Sequence, residues 1–206
     1  MTREPIGTIA SLNASLTLVV FDARAATEWI PTKPAATKAQ FTGHPAEVMR
    51  GLGKGEETTT VDVGADSGYA FELEGKSGQI EVYRLDDDSV ALVAPPRAWW
   101  QGDVAAIESL FADALETMDD ATEVGPLELP SGKLAAVYLW LKKVGAARDL
   151  AATVSAGASL AFGDGYGEGN GGLVVDVGTG THTLLRREIE APWDRSLSLV
   201  VMYLRR

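Results

Sequence analysis

The sequence predicts a mainly β protein of the α+β class: two similar antiparallel modules, sandwich-like or barrel-like, that arose by internal duplication and are joined by an acidic helix. Three observations predict this organisation. Short apolar segments separated by turn residues recur along the 206 residues, which is typical of sandwiches and small barrels. Several segments of the first half recur in order in the second half. One segment between the halves has helical instead of alternating periodicity.

The first half consists mainly of predicted strands. A Leu- and Val-rich run covers 16–21, and the segment 58–63 alternates and is β-branched until it stops at Gly64. Similar segments follow at 68–74, 79–85 and 90–94. A short helix is predicted over 45–50, because Pro45 suits the first position of a helix and His44 precedes it.

The second half repeats this texture. Strands are predicted over 133–141, 172–177, 181–189 and 196–204, and a further helix over 146–152. The glycine-rich run 163–172 is predicted to be a hairpin or linker. It lacks the Lys-Ser or Lys-Thr end of a phosphate loop. It also lacks the closing glutamate of a calcium loop.

A helix is predicted over 104–118, with Asp103 as its N-cap. Its apolar stripe consists of Ile107, Leu110, Phe111, Ala114, Leu115 and Met118. Glu108, Asp113 and Glu116 fall off this stripe. The helix is therefore expected to pack its stripe on one or both β modules.

The predicted duplication rests on ordered matches between the halves. The segment 6–9 resembles 124–127, and 16–20 resembles 134–138, both at an offset of 118. Val-Asp-Val-Gly occurs at 61–64 and again at 175–178, and 81–85 resembles 201–204. These matches predict an N-terminal β module over 1–95, a helical connector over 96–122 and a C-terminal β module over 123–206.

Charge and composition exclude several classes of function. The formal net charge is -11, so phosphate and anionic membrane surfaces are repelled, and neither nucleic acid nor membrane is an expected partner. The chain has no cysteine, so thiol chemistry and cysteine-based metal sites are excluded. Because His44 and His182 are isolated and no catalytic motif is present, we expect neither enzymatic activity nor a metal or cofactor. No targeting segment is recognisable, and a cytoplasmic location is expected.

The candidate binding residues lie in and beside the connector. The exposed face of an acidic helix next to aromatic residues is expected to bind a basic protein. The predicted partner-binding residues are Trp99, Trp100, Asp113, Glu116, Asp119 and Asp120. Trp99 and Trp100 are expected on extended chain, where neighbours point to opposite sides. One of them is then a candidate exposed contact, unless both are buried between the modules.

Two alternatives remain open. A sugar or another small ligand would bind in a pocket lined by Trp29, Trp140 or Trp193. A structural or assembly protein would pair an exposed strand edge with another copy. The sequence does not decide between a monomer and a homodimer. Asp62 and Asp176, which recur in the matching segments, are assigned a structural role at strand ends.

The end of the chain resembles bacterial toxin-immunity proteins of the immunity protein 21 type. The segments that carry the resemblance are 173–178, 197–199 and 203–206, with the Gly125-Pro126-Leu127 segment and Leu134 before them and a fainter echo at 18–22 and 68–69. The resemblance implies a cytoplasmic protein that blocks a co-encoded toxin by binding it, and the acidic charge of this chain makes a basic toxin the expected partner. It implies no catalytic residues.

Overall fold

The computed structural model describes residues 4–10, 17–28, 43–53, 55–73, 76–96, 99–138, 161–163 and 170–206. Within these residues the protein is mainly β, with two antiparallel sheets and few helices. The strands are β1 Gly7–Ala10, β2 Thr17–Asp22, β3 Thr58–Val63, β4 Asp66–Glu72, β5 Gln79–Asp86, β6 Ser89–Ala94, β7 Thr122–Leu129, β8 Lys133–Tyr138, β9 Ala161–Gly163, β10 Asn170–Asp176, β11 Gly180–Ala191 and β12 Asp194–Arg205. The helices are α1 His44–Leu52 and α2 Val104–Glu116, with 3-10 turns at Ala23–Glu28 and Trp99–Gln101.

Each sheet contains strands from both halves of the chain. Sheet A has the order β1-β5-β6-β12-β11-β7, and sheet B has the order β3-β4-β2-β8-β10-β9. The halves meet where β6 pairs with β12 in sheet A and where β2 pairs with β8 in sheet B. The two halves occupy symmetric places in each sheet. Each strand lies as far from one end of its sheet as the strand numbered six higher or lower lies from the other end, for example β1 and β7, or β3 and β9.

The two sheets share one apolar core. Leu92 and Met202 of sheet A belong to the same buried cluster as Leu18, Phe71 and Val175 of sheet B. The central strand β6 is buried along its whole length. Its residues alternate between this cluster and a second one on the outer face of sheet A. A strand that is covered on both faces accounts for the unbroken apolar run of its sequence.

Helices cover both outer faces. On sheet B, Val48 and Leu52 of α1 pack with Val61 and Val63 of β3. On sheet A, α2 contributes Leu110 and Ala114 to the outer cluster. Asp103 caps α2 by accepting a hydrogen bond from the Ala106 N–H at 2.8 Å, so the predicted helix and its N-cap are confirmed.

Several details differ from the sequence-based expectation. The ends of the glycine-rich run pair antiparallel, with Gly163 of β9 opposite Asn170 of β10, as in the predicted hairpin. Strand β10 begins two residues before the predicted 172, and the short strand β9 was not expected. Trp99–Gln101 forms a 3-10 turn, so the prediction of extended chain at the two tryptophans is wrong. The predicted helix over 146–152 and part of the glycine-rich run lie outside the described residues.

Two of the four segment matches join strands at corresponding places in the sheets, and two do not. The first two pair β1 with β7 and β2 with β8, which occupy corresponding places. The match of Asp62 with Asp176 pairs the terminal strand β3 with the internal strand β10, and the last match pairs β5 with β12. These two matches therefore do not join equivalent strands. The sequences match because short apolar strands resemble one another. The module boundaries at 95 and 123 stay a prediction.

Replacing Leu92 with alanine is expected to lower the free energy of unfolding by about 2–5 kcal/mol, because it leaves a cavity between the sheets. Urea denaturation followed by circular dichroism measures this change. Val104→Ala, at a side chain that is 72% exposed, serves as the control and should stay within about 0.5 kcal/mol of the wild type. A Leu92→Ala protein as stable as the wild type would contradict the shared core.

Candidate functional site

The segment 103–132 concentrates the negative charge of the chain. It contains eight carboxylates and no lysine, arginine or histidine. Seven of these side chains belong to exposed residues, and only Asp113 is half-buried. We call this region the acidic surface; its exposed members are Asp103, Glu108, Glu116, Asp119, Asp120, Glu123 and Glu128.

One arginine of the neighbouring strand β11 forms ion pairs with this segment. Arg187 of β11 lies 3.2 Å from a carboxylate oxygen of Asp113 and 3.8 Å from one of Asp120. No other ion pair to the acidic surface occurs within the described ranges. Most of its charge therefore faces solvent without a fixed counter-charge.

Arg187 and Tyr203 also hold the end of α2 on sheet A. Arg187 Nη1 donates to the carbonyls of Asp113 and Thr117 at 3.2 and 3.4 Å. The Tyr203 hydroxyl donates to the carbonyl of Ala114 at 2.7 Å. Burial raises the pKa of Tyr203, which keeps this donor protonated. Carbonyls at a helix C-terminus lack intrahelical partners, and a cation there also complements the helix dipole. The two side chains thus offset the unfavourable Asp119 and Asp120 that follow the helix.

The predicted binding residues separate into two groups. Glu116, Asp119 and Asp120 are exposed on the acidic surface, whereas the Asp113 carboxylate is engaged by Arg187. Trp99 is half-buried and stacks edge-on against Phe111 of α2, with ring centroids 6.5 Å apart. The side chain of Trp100 lies outside the described residues. Trp99 therefore packs against α2 and is only partly available for contact with a partner.

A cleft of about 570 Å³ opens beside the acidic surface. Strand β7 packs over β2 and β4 of sheet B, and β3 lies one strand further out. Strand β3 thus extends beyond β7, and the cleft lies in the space between them. Its lining residues are Glu57, Thr58, Thr59, Thr60, Tyr69, Asp120, Thr122, Glu123, Val124, Arg186, Arg187 and Glu188.

The cleft has an excess of negative charge. Its lining holds four carboxylates and two guanidinium groups, and both guanidinium groups are already paired. Arg186 contacts Glu57 at 2.6 Å and Glu188 at 3.4 Å. Its Nε is buried without a hydrogen-bond partner among the described groups. Glu123 has no ion pair in the part of the chain that the structure describes. The cleft thus favours a neutral or cationic occupant over an anion.

A buried lysine braces one wall of the cleft. Lys76 Nζ donates to Ser198 Oγ at 2.6 Å, to the Ser198 carbonyl at 2.9 Å and to Glu188 Oε1 at 3.2 Å. Burial lowers the pKa of Lys76, although Glu188 opposes that shift. Burial also raises the pKa of Glu188, but hydrogen bonds from Ser198 and Lys76 outweigh it and hold this pKa below its ordinary value. The Ser198 hydroxyl donates in turn to Glu188, so the three side chains form one hydrogen-bonded brace.

A β-bulge in β7, next to β11 in sheet A, shapes the same wall. Leu184 pairs with Gly125 and Leu185 with Glu123, so Val124 is an extra residue in β7. Gly125 has φ 152°, and a Cβ there would collide with the Tyr69 hydroxyl. That hydroxyl donates to the Pro126 carbonyl at 3.2 Å. Bulges re-aim side chains and end regular pairing, and this one turns Val124 and Glu123 towards the cleft.

The remaining candidates from the sequence have structural partners. His182 is fully buried, and its ring nitrogens face the carbonyls of Val177 and Gly180 at 3.0 and 3.3 Å, not Asp176. Asp62 accepts from Ser67, and Asp176 accepts from Lys133 and the Gly178 N–H, each close to a strand end. Trp193 packs against Gly102 and does not line the cleft. Trp29 and Trp140 lie outside the described residues.

The described residues contain no group of three or more His, Asp or Glu side chains placed to hold a metal ion. No helix among them combines the length and apolar character that a bilayer crossing requires. Comparison of the chain with protein-family models, with curated proteins and with solved structures returned no match.

Replacing Glu188 with glutamine is expected to lower the pKa of Lys76 further, because the carboxylate that contacts its ammonium is lost. NMR titration of the Lys76 side chain measures this shift. Glu123→Gln removes the same charge from the cleft without touching Lys76 and should change that pKa far less. Equal shifts in both variants would contradict the brace.

The same substitution has a signature in acid stability. The folded-state pKa of Glu188 is depressed, so its contribution to stability is present above its unfolded pKa, about 4.3, and is lost as pH falls through the folded value. The stability difference between wild type and Glu188→Gln should therefore shrink as the pH falls below about 4.

Proposed function

We propose that this chain is a non-enzymatic binding protein whose acidic surface docks a basic protein partner. The observation that supports this most strongly is the segment 103–132, with eight carboxylates and no basic residue. Only Arg187 forms ion pairs with it among the described residues. Packing of α2 against sheet A does not require such a charge density, since the buried side of the helix is apolar.

The charge selects among partners. A field of one sign steers an oppositely charged protein into encounter and raises its association rate. It repels nucleic acid and anionic lipid, and it repels a second copy of a chain whose net charge is -11. Exposed charge pairs contribute only about 0–1 kcal/mol each. The affinity must therefore come from an anchor in a concave site.

The cleft supplies a place for that anchor. Asp120 and Glu123 belong both to the acidic surface and to the cleft lining. A side chain that enters a desolvated pocket at the centre of an interface carries most of the binding energy. The cleft and the acidic surface would thus act together, one for affinity and the other for encounter rate.

The particular function we propose is that of an immunity protein. The resemblance of 173–178 and 197–206 to immunity proteins of the 21 type makes a co-encoded, basic bacterial toxin the candidate partner, met in the cytoplasm. Inhibition by binding requires no catalytic group on this chain.

The architecture we propose behind this function is a duplicated β-sandwich. Its support is the correspondence between strands six places apart, which holds in both sheets. The core shared by the two sheets is arranged as a sandwich requires. Duplication would also explain why β1 packs over β10 as its counterpart β7 packs over β4.

Reversing one charge of the acidic surface, Asp119→Lys, is expected to slow association with the product of the neighbouring toxin gene by several-fold at low salt. It should also flatten the dependence of the association rate on ionic strength, because steering is screened by salt. Stopped-flow fluorescence measures both.

Asp87→Lys is the matched control. Asp87 is exposed in the turn between β5 and β6, so its reversal makes the same change in net charge at another place. Equal slowing by both variants would show that net charge and not the acidic surface governs docking. Fast association that is indifferent to salt would contradict the proposed function.

A further inference from the structure

Within the part of the chain that the structure describes, strand β3 has an unpaired edge next to the cleft. It ends sheet B there and pairs with β4 alone, with Thr58 opposite Phe71 and Val63 opposite Asp66. Glu57 accepts a hydrogen bond from the Glu72 N–H at 3.0 Å. Since antiparallel pairs alternate between bonded and non-bonded positions, residues 59, 61 and 63 point their backbone groups at β4.

The alternate residues point their backbone groups the other way. The N–H and C=O groups of Thr58, Thr60 and Asp62 face the open side of the strand. Thr60 and Asp62 are exposed, and Thr58 is half-buried. The only bond to these groups within the described ranges is a 3.5 Å contact from Thr59 Oγ1 to the Thr60 carbonyl. Helix α1 packs on the outer face of β3 through Val48 and Leu52.

Natural sheets usually protect such edges by short strands, bulges, prolines or charges. Of the four strands that end the two sheets in the described part of the chain, β1 has four residues and β9 has three. Strand β7 carries the bulge, Pro126 and two glutamates. Strand β3 has six residues, three of them consecutive threonines, without proline or bulge. Threonine favours strands, so this edge is a ready template for pairing.

We infer that the β3 edge captures an extended, basic segment of the partner as an additional strand of sheet B. Main-chain hydrogen bonds to Thr58, Thr60 and Asp62 would fix the register, as in other cases of strand addition. This inference rests on the proposed function and names the part of the partner that docks.

Charge identifies the occupant. Asp62 is the one charged residue of β3, and the adjacent cleft holds four carboxylates against two guanidinium groups. Thr58 and Thr60 share a face of sheet B with Tyr69 and Phe71, their cross-strand partners. That face opens onto the cleft, so alternate side chains of an added strand point to its side. Lysine or arginine at those positions meets Asp120 and Glu123, whereas a second copy of this acidic chain brings like charge.

The test uses a short synthetic peptide in which lysine and valine alternate, titrated into the full chain. Thr60→Pro removes an outward N–H that β4 does not use, a change that edge strands tolerate. It is expected to weaken binding of the peptide at least tenfold. Thr60→Val, which keeps the backbone donor, should bind the peptide like the wild type. A peptide in which glutamate replaces lysine should not bind.

Amide hydrogen exchange on the wild type provides a second measurement that needs no variant. Bound peptide should slow exchange at Thr60 and Asp62, and leave the amides of α1 unchanged. Equal binding to Thr60→Pro and Thr60→Val, or unchanged exchange at these amides, would overturn strand addition. The proposed function has its own test, since salt-independent association of the toxin with wild type and Asp119→Lys would overturn that proposal whatever the Thr60 result.

Discussion

Two strand pairs hold the whole structure together. The pairing of β6 with β12 completes sheet A, and the pairing of β2 with β8 completes sheet B. All four strands are central and send alternate residues into the shared core. Among the described residues, neither half of the chain contributes more than three strands to a sheet, so the apolar faces of each half are covered only when both halves are present. The offset between the sheets then leaves β3 overhanging β7, and this overhang creates both the cleft and the open edge.

The fold tolerates the acidic surface because its carboxylates are exposed to solvent, while a small number of other side chains hold α2 on sheet A. Leu110 and Ala114 bury the apolar side of α2, and Arg187 and Tyr203 bind its last carbonyls. The carboxylates remain in water, where repulsion between them is screened within about 10 Å at moderate salt. Apart from Asp103, which caps α2, these carboxylates contribute little to the stability of the protein, which leaves them free to serve a partner.

Local patterns in the sequence predict much of the secondary structure. Helix α2 and its Asp103 cap follow from periodicity and capping chemistry, and β3 and β6 follow from alternation and apolar runs bounded by turn residues. Strand order does not follow from such patterns, because pairing between residues far apart in the chain decides it. The matches of 61–64 with 175–178 and of 81–85 with 201–204 failed for that reason, since similar strands occupy different places in the sheets.

The candidate site is predictable only in part. Glu116, Asp119 and Asp120 were found because a run of acids is visible in one dimension. The cleft was missed, since Thr60, Tyr69 and Arg186 come from three separate strands and meet only through the sheet offset and the bulge at Val124. One signal was present: Arg186 and Arg187 interrupt the strand alternation with adjacent cations. Arg186 contacts Glu57 of the cleft lining, whereas Arg187 contacts Asp113 of α2. The pair therefore marks the part of β11 that lies between the cleft and α2.

The central claim is that a basic partner docks on the side of the molecule formed by α2, β7 and β3. Hydrogen-exchange mass spectrometry of the full chain, alone and saturated with the proposed basic toxin, tests it most directly. The account predicts slower exchange in peptides covering 58–62 and 116–124, and unchanged exchange in the turn between β5 and β6. Protection confined to that turn or to the β1 edge, with 58–62 and 116–124 unaffected, would contradict it.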